Sequence, residues 1–130
     1  PGFRGGLRTD GLTELIDVYP TLSELAGLPI PTHAQGRSFV PLMNDPATPW
    51  KEQAIGRFTN GDTIRTDTHR FSEYTDRQRG PVARMLYDHL ADPGENVNVA
   101  EQPSNAGVTS QLTQRLRAGK GKDGDLPAGK

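Results

Sequence analysis

Residues 60–75, Asn60-Gly61-Asp62-Thr63-Ile64-Arg65-Thr66-Asp67-Thr68-His69-Arg70-Phe71-Ser72-Glu73-Tyr74-Thr75, decide the fold. Asn60-Gly61-Asp62 is a tight-turn signal, and β-branched and aromatic residues follow it. Residues 63–68 and 70–75 read as two short strands. One bent strand is the alternative, because Asp67-Thr68-His69 is a weak turn. Upstream, residues 53–58 form a candidate strand with Ala54, Ile55 and Phe58 as its apolar members. Downstream, the polar residues 76–81 predict a hairpin loop and residues 82–88 the next strand. Asp92-Pro93-Gly94 then marks a turn. The expectation is a small antiparallel sheet of three to four strands.

Helical signals flank the sheet. Leu12, Leu15, Ile16, Tyr19, Leu22, Leu25 and Ala26 recur at three- and four-residue steps, which marks one helical face. Pro20 interrupts it and has no N–H to donate. Either the helix starts near Asp17, with Pro20 in its first turn, or one longer helix is kinked; the first reading is preferred because Asp is a good N-cap. Gly27 is the expected stop. Ser38 could cap a short turn through Phe39, Val40, Leu42 and Met43. Residues 44–51 are a Pro-rich connection and residues 96–100 a possible helical turn. Leu112 and Leu116, four apart, place a final helix over residues 109–117. The fold class expected is α+β, with an N-terminal helix and a covering C-terminal helix.

Of the 130 residues, 32% are hydrophobic, and there are 15 Gly and 11 Pro. A chain so poor in apolar side chains has little to set against its ordering entropy. Marginal stability, or burial against a partner surface, is expected. The formal net charge is -1, from 15 basic and 16 acidic residues. That balance carries no nucleic-acid footprint. The absence of cysteine excludes a disulfide framework, a thiolate zinc site and a cysteine nucleophile in this stretch. No apolar run is long enough for a membrane span, and no signal peptide is present. Pro1 and the Gly- and Arg-rich opening read like the middle of a protein, so upstream sequence is expected.

Glu14-Leu15-Ile16-Asp17-Val18-Tyr19-Pro20-Thr21-Leu22, with Glu24-Leu25-Ala26-Gly27-Leu28-Pro29, resembles the stretch of sulfatases that follows their last catalytic motif. Gly36-Arg37-Ser38-Phe39 and Pro41-Leu42 look like its continuation. Ile64-Arg65-Thr66-Asp67, Arg70-Phe71 and Glu73-Tyr74 resemble the paired strands of sulfatase C-terminal subdomains. Leu86-Tyr87-Asp88-His89, Asp92-Pro93, Glu95-Asn96 and Asn98-Val99-Ala100 look like the family's final strand and turn. In order and spacing the four segments resemble the sulfatase family of the alkaline-phosphatase-like superfamily. The wording is closest to iduronate-2-sulfatase-like enzymes, and choline-sulfatase-like enzymes and phosphonate monoester hydrolases share much of it.

The resemblance implies the C-terminal subdomain of a larger α/β sulfatase. Residues 1–52 would end the catalytic domain, 53–118 would form the C-terminal subdomain, and 119–130 would be a disordered tail. The family's Cys/Ser-x-Pro-x-Arg nucleophile motif and paired metal-binding aspartates are absent from this sequence. Pro1-Gly2 resembles the Pro-Gly shortly after the last metal pair. Calcium and formylglycine are therefore expected upstream, with no cofactor, catalytic residue or metal ligand in residues 1–130. The implied partners are the N-terminal catalytic domain of the same protein and, for the whole protein, a sulfated carbohydrate. A periplasmic, secreted or lysosomal-type compartment fits the family. The alternatives are the equivalent piece of a phosphonate or phosphate monoester hydrolase, and a free-standing binding module.

Two residues are candidates for substrate contact. Arg65 could clamp a sulfate or carboxylate with its planar fork, although a structural ion pair is the preferred reading. His69 ranks second, with a packing role as the simpler account. His33, His69 and His89 lack metal-ligand spacing, and His89, which could hydrogen-bond across the turn that follows it, has no evident titrating partner. Asp88, Asp92 and Glu95 do not match a calcium loop; turn formation accounts for Asp92, and helix capping for Glu95 or Asn96. Arg77, Arg79 and Arg84 read as a solvated hairpin loop, with contact to an anionic sugar as the lesser reading. Tyr19 and Tyr87 read as core. Exposed apolar faces are expected at residues 22–28 and around Ile64.

Overall fold

The computed structural model describes residues 2–120. They form two compact units, one up to Ala54 and one from Ile55 onward.

In the first unit a 3-10 turn, Leu15–Asp17, leads into α1, Val18–Leu25. Pro20 sits in the first turn of α1, where no intrahelical donor is required. Gly27 closes the helix at φ 69°, while Leu28 N–H donates to the Ser23 carbonyl at 2.9 Å. This is the left-handed terminus that glycine adopts without steric cost. A short helix α2, Val40–Asn44, follows, and the Ser38 hydroxyl accepts from Val40 N–H at 3.3 Å.

The orientation of α1 reverses the expectation for Tyr19. The helix buries its polar face, Asp17, Thr21 and Ser23, and exposes its apolar one. Leu15 is 90% exposed, Leu22 58% and Tyr19 54%, so Tyr19 is not core. The cause is a loop that docks on the polar side. Arg37 N–H donates to the Asp17 carboxylate at 2.8 Å, and Phe39 N–H to the Thr21 hydroxyl at 3.0 Å. Gly36 lies so close that a Cβ there would collide with the Ile16 carbonyl oxygen. Lys51 completes the corner, its ammonium 2.6 Å from both Asp17 and Glu14. Trp50 lies beneath the Arg37 guanidinium, 4.2 Å from its ring centre.

The second unit is a four-stranded sheet in the order β1-β2-β3-β4, covered by α3, Ala106–Lys120. The strands are β1 Ala54–Phe58, β2 Gly61–Arg65, β3 His69–Asp76 and β4 Gly80–Asp88. β2, β3 and β4 pair antiparallel. The weak turn at residues 67–68 is a true hairpin: Thr66 N–H donates to the His69 carbonyl at 2.8 Å. In register, Ile64, Phe71 and Leu86 lie side by side, all fully buried, with Leu112, Leu116 and Ala100 against them. Ile64 is therefore not part of an exposed face, because α3 covers it. The opposite face carries Thr63, Ser72 and Met85, then Arg65, Arg70 and Tyr87, as strand alternation requires. Glu73 is buried on the α3 side between Arg84 at 3.3 Å and Arg117 at 3.1 Å.

α3 continues past its expected end and takes in Gly119 and Lys120; the rest of the expected disordered tail lies outside the described residues. Residues 96–100 form no helix. They instead cover the outer edge of β4. Val99 N–H donates to the Leu86 carbonyl at 2.9 Å. The Asn98 side chain accepts from Leu86 N–H at 2.9 Å and Ala100 N–H at 3.1 Å, and donates to the Arg84 carbonyl at 3.0 Å. One amide thus blunts a strand edge. Replacing Asn98 with alanine removes all three bonds and is expected to cost about 1–3 kcal/mol. Thermal melts followed by far-UV circular dichroism should show the loss. An unchanged midpoint would mean that water replaces the amide without penalty.

Candidate functional site

The face of the sheet away from α3 ends in a cluster of charge. Register places Arg65 of β2 directly opposite Arg70 of β3, with Tyr87 of β4 next in line. Two like charges so placed repel, and the segment after β4 supplies what offsets them. His89 follows β4, and its Nε2 lies 2.7 Å from the Arg65 guanidinium and 2.5 Å from Glu95 Oε1. Glu95 also pairs with Arg70 through its second oxygen. The Arg70 guanidinium lies 5.2 Å from the centre of the Tyr87 ring.

The turn at residues 92–97 aims Glu95 inward. Asp92 accepts from Asn96 and from Val97 N–H, both at 2.8 Å, and these bonds hold its carboxyl below the usual range. Glu95 adopts φ 54°, uncommon for a residue with a side chain. Glu95 is therefore not a helix cap but a hydrogen-bond partner of His89 and the counter-ion of Arg70. This also corrects the expectation that His89 lacks a titrating partner.

Arg65, Asp67, Arg70, His89, Pro93 and Glu95 line an open cleft of about 600 Å³. Among the described residues Arg65 pairs with no carboxylate, and its partner is the imidazole of His89. A single ring nitrogen cannot both accept from Arg65 and donate to Glu95. The arrangement therefore leaves either Arg65 or Glu95 short of a partner while His89 is neutral. Nδ1 of His89 and Nε of Arg70 are buried with no hydrogen-bond partner. Both atoms belong to residues that line the cleft, but are themselves buried.

The two sequence candidates part here. Arg65 lines the cleft. His69 precedes Arg70 on β3 and so shares the face of Phe71, where its Nδ1 lies 2.8 Å from the Thr68 hydroxyl. Arg77 and Arg79 are exposed at the β3–β4 hairpin, away from the cleft lining, and Arg84 turns to Glu73. Sequence reasoning allowed His89 a hydrogen bond across the turn that follows it, but did not identify Glu95 as the partner. The available signal was their position on either side of Asp92-Pro93-Gly94, a turn tight enough to fold one back on the other. Among the described residues no group of three or more His, Asp or Glu side chains could hold a metal ion. No helix among them is long and apolar enough to cross a membrane.

Comparison with known proteins matches residues 2–122 to the family described as N-sulphoglucosamine sulphohydrolase, C-terminal. The chain is similar to arylsulfatase K of Rattus norvegicus, 32% identical over 131 residues, covering 91% of this chain and 23% of that protein. Arylsulfatase K of Homo sapiens is 29% identical, covering 91% of this chain and 24% of its own. The chain spans about a quarter of the length of these curated relatives. The fold is shared with the phosphonate monoester hydrolase of Silicibacter pomeroyi, at TM-score 0.79 and 21% identity over 92% of this chain and 27% of that one. It is shared too with BT4656, solved in complex with its substrate D-glucosamine-2-N,6-O-disulfate, at TM-score 0.73 and 22% identity over 85% of this chain and 24% of that one. The α+β unit with its antiparallel sheet is the C-terminal subdomain of the sulfatase fold, and this chain belongs to the family of sulfatase C-terminal domains.

Proposed function

We propose that this chain is the C-terminal part of a sulfuric ester hydrolase that acts on sulfated sugars, and that it supplies pocket wall and docking surface rather than the reacting groups. The observation that carries the reading is the family match over nearly the whole chain. The exposed apolar side of α1 supports it. Leu15, Ile16, Tyr19, Leu22 and Leu25 lie open to solvent, an arrangement that costs free energy unless a partner covers it. The occupant proposed is the N-terminal catalytic domain of the same protein. Calcium and a formylglycine nucleophile, if used, would come from that domain; the described residues bring together no metal-ligating group, and the sequence has no cysteine to oxidise. Arg65 is the side chain proposed to face substrate. His69, on the other face of the sheet, is the weaker candidate.

A finer reading is an iduronate-2-sulfatase-like enzyme. Arg65-Thr66-Asp67 and Glu95-Asn96-Val97-Asn98-Val99-Ala100 support it through their wording. A second reading is a phosphonate monoester hydrolase, favoured by the fold likeness at TM-score 0.79.

Turnover by the longer protein separates these readings. Sulfated monosaccharides, iduronate 2-sulfate among them, are the expected substrates, cleaved faster than a phosphonate monoester. The 130-residue chain alone is expected to show no turnover of either. A preference for phosphonate would move the assignment to the second reading. Turnover by the chain alone would overturn the non-catalytic role.

A further inference from the structure

We infer that the cleft at the end of β2 and β3 is an oxyanion subsite, in which Arg65 and His89 receive a sulfate or carboxylate group of an acidic saccharide in competition with the built-in carboxylate of Glu95. The inference deepens the proposed function and rests on its substrate class.

Three observations carry it. The first is a guanidinium without a carboxylate partner among the described residues. Arg65 is half-buried at the cleft wall and, among the described residues, has an imidazole rather than a carboxylate for a partner. The other arginines of the unit whose ion pairs are described have an acid: Arg57 with Asp62, Arg70 with Glu95, and Arg84 and Arg117 with Glu73. A guanidinium presents up to five N–H donors, and an oxyanion is the acceptor that matches two of them at once.

The second is that the protein already places an oxyanion there. Glu95 holds one oxygen on His89 and the other on Arg70. It does so from a turn residue at φ 54°, outside any helix or strand. Glu95 thus marks where an anion sits and sets a threshold that a ligand must exceed.

The third is the conflict at His89 Nε2, contacted by a donor from Arg65 and by the acceptor Glu95. The His89 side chain is only 10% exposed, and its Nδ1 has no partner. An added anion beside Arg65 resolves the conflict: Arg65 turns its donors to the ligand, and Nε2–H is left to a carboxylate or sulfate oxygen. The cleft is open, so the group can arrive on a saccharide without the sheet parting.

The charges around His89 set the sign of the pH dependence. Arg65 faces it from β2 and Arg70 from β3. Asp88 ends β4, Asp67 lies on the β2–β3 turn, and Glu95 and Asp92 lie on the turn that follows. The lining carries two arginines and two carboxylates, so it is neutral with neutral His89 and positive once His89 gains a proton. Sulfate keeps its charge through the range in which an imidazole titrates. Binding should tighten wherever His89 carries a proton.

The test is titration of the 130-residue chain with inorganic sulfate, glucosamine 6-sulfate and glucuronate at constant ionic strength, followed by the amide signals of residues 65, 89 and 95. Saturable shifts are expected. Arg65→Ala should weaken binding about tenfold or more, and Glu95→Gln should strengthen it. His89→Gln should remove the pH dependence. The two sugars separate a sulfate-reading subsite from a carboxylate-reading one, and either result supports an oxyanion site. Shifts that do not saturate, or that persist in Arg65→Ala, overturn the inference, since general salt effects would produce them. In the longer protein Arg65→Ala should raise KM more for a sugar sulfate that carries a second anionic group than for a singly charged aryl sulfate. Equal effects on both substrates would mean a structural role for Arg65. Failure of these binding results leaves sulfate ester turnover by the longer protein untouched, so the subsite and the activity stand or fall separately.

Discussion

Replacing Asp17 with alanine is expected to destabilise the first unit by about 3–5 kcal/mol, the cost of breaking a buried ion pair from one side. The carboxylate is fully buried. It accepts from Glu14 N–H at 2.9 Å, from Arg37 N–H at 2.8 Å and from the Lys51 ammonium at 2.6 Å. Alanine would leave two backbone donors without an acceptor and Lys51 with Glu14 alone. That loss is a large share of the about 5–15 kcal/mol that holds a domain folded. Trp50 is the sole tryptophan and lies under Arg37, so its fluorescence reports on this corner during a urea melt.

Acid and base should act on the same contact from opposite ends. Burial alone would raise the Asp17 carboxyl, but the hydrogen bonds from Lys51, Arg37 and Glu14 outweigh it and hold it below 3.8. The stability this contributes is present above pH 3.8 and is lost as pH falls through the lower folded value. Burial would lower the Lys51 ammonium, but its bonds to Asp17 and Glu14 raise it above 10.5. Its contribution is present below pH 10.5 and disappears as pH rises through the raised value. Asp17→Ala should flatten both limbs of the stability profile. A profile with unchanged acid and alkaline slopes would mean that the Asp17–Lys51 pair contributes nothing in solution.

Phe71→Ala should cost the second unit a similar amount, about 3–5 kcal/mol. The ring is fully buried between Ile64 and Leu86 in register, within the cluster that Leu112 and Leu116 complete from α3. No small side chain can fill the space, because the neighbours are fixed by sheet register on one side and by a helix on the other. Hydrogen exchange at the amides of Ile64 and Leu86 should speed by the corresponding factor. Ser72→Ala, one residue on and facing the opposite way, forfeits only the 2.8 Å hydroxyl contact with Thr63 and should cost about 1 kcal/mol. Similar losses at both positions would mean that the buried face is not where the register places it.

Most of the second unit was legible in the sequence. Turn chemistry at residues 60–62, 76–81 and 92–94 separated the strands, and Ala54, Ile55, Ile64, Phe71 and Leu86 lie on strands where local propensity and pattern agree. The Leu112 and Leu116 pair located α3, though its ends at Ala106 and Lys120 extend beyond the apolar residues that mark it. Arg65 was legible as a candidate because an arginine on a strand end is conspicuous. A hydrogen bond from His89 across the turn was legible too, but Glu95 as its partner was not, because the left-handed backbone at Glu95 is set by the folded turn.

The sequence by itself determined where the strands and most of the helices lie, since turn residues, capping groups and apolar spacing act within a few residues of one another. It also determined that no cysteine chemistry resides here. Only the tertiary structure decided which side of α1 faces inward, since a helical stripe of leucines signals burial without naming what covers it. In this chain the loop around Gly36 and the Lys51 ammonium claim the polar side of α1, and the apolar side stays open. The Arg65–His89–Glu95 cluster was decided the same way, because charges distant along the chain meet only when strand register and a folded turn bring them together.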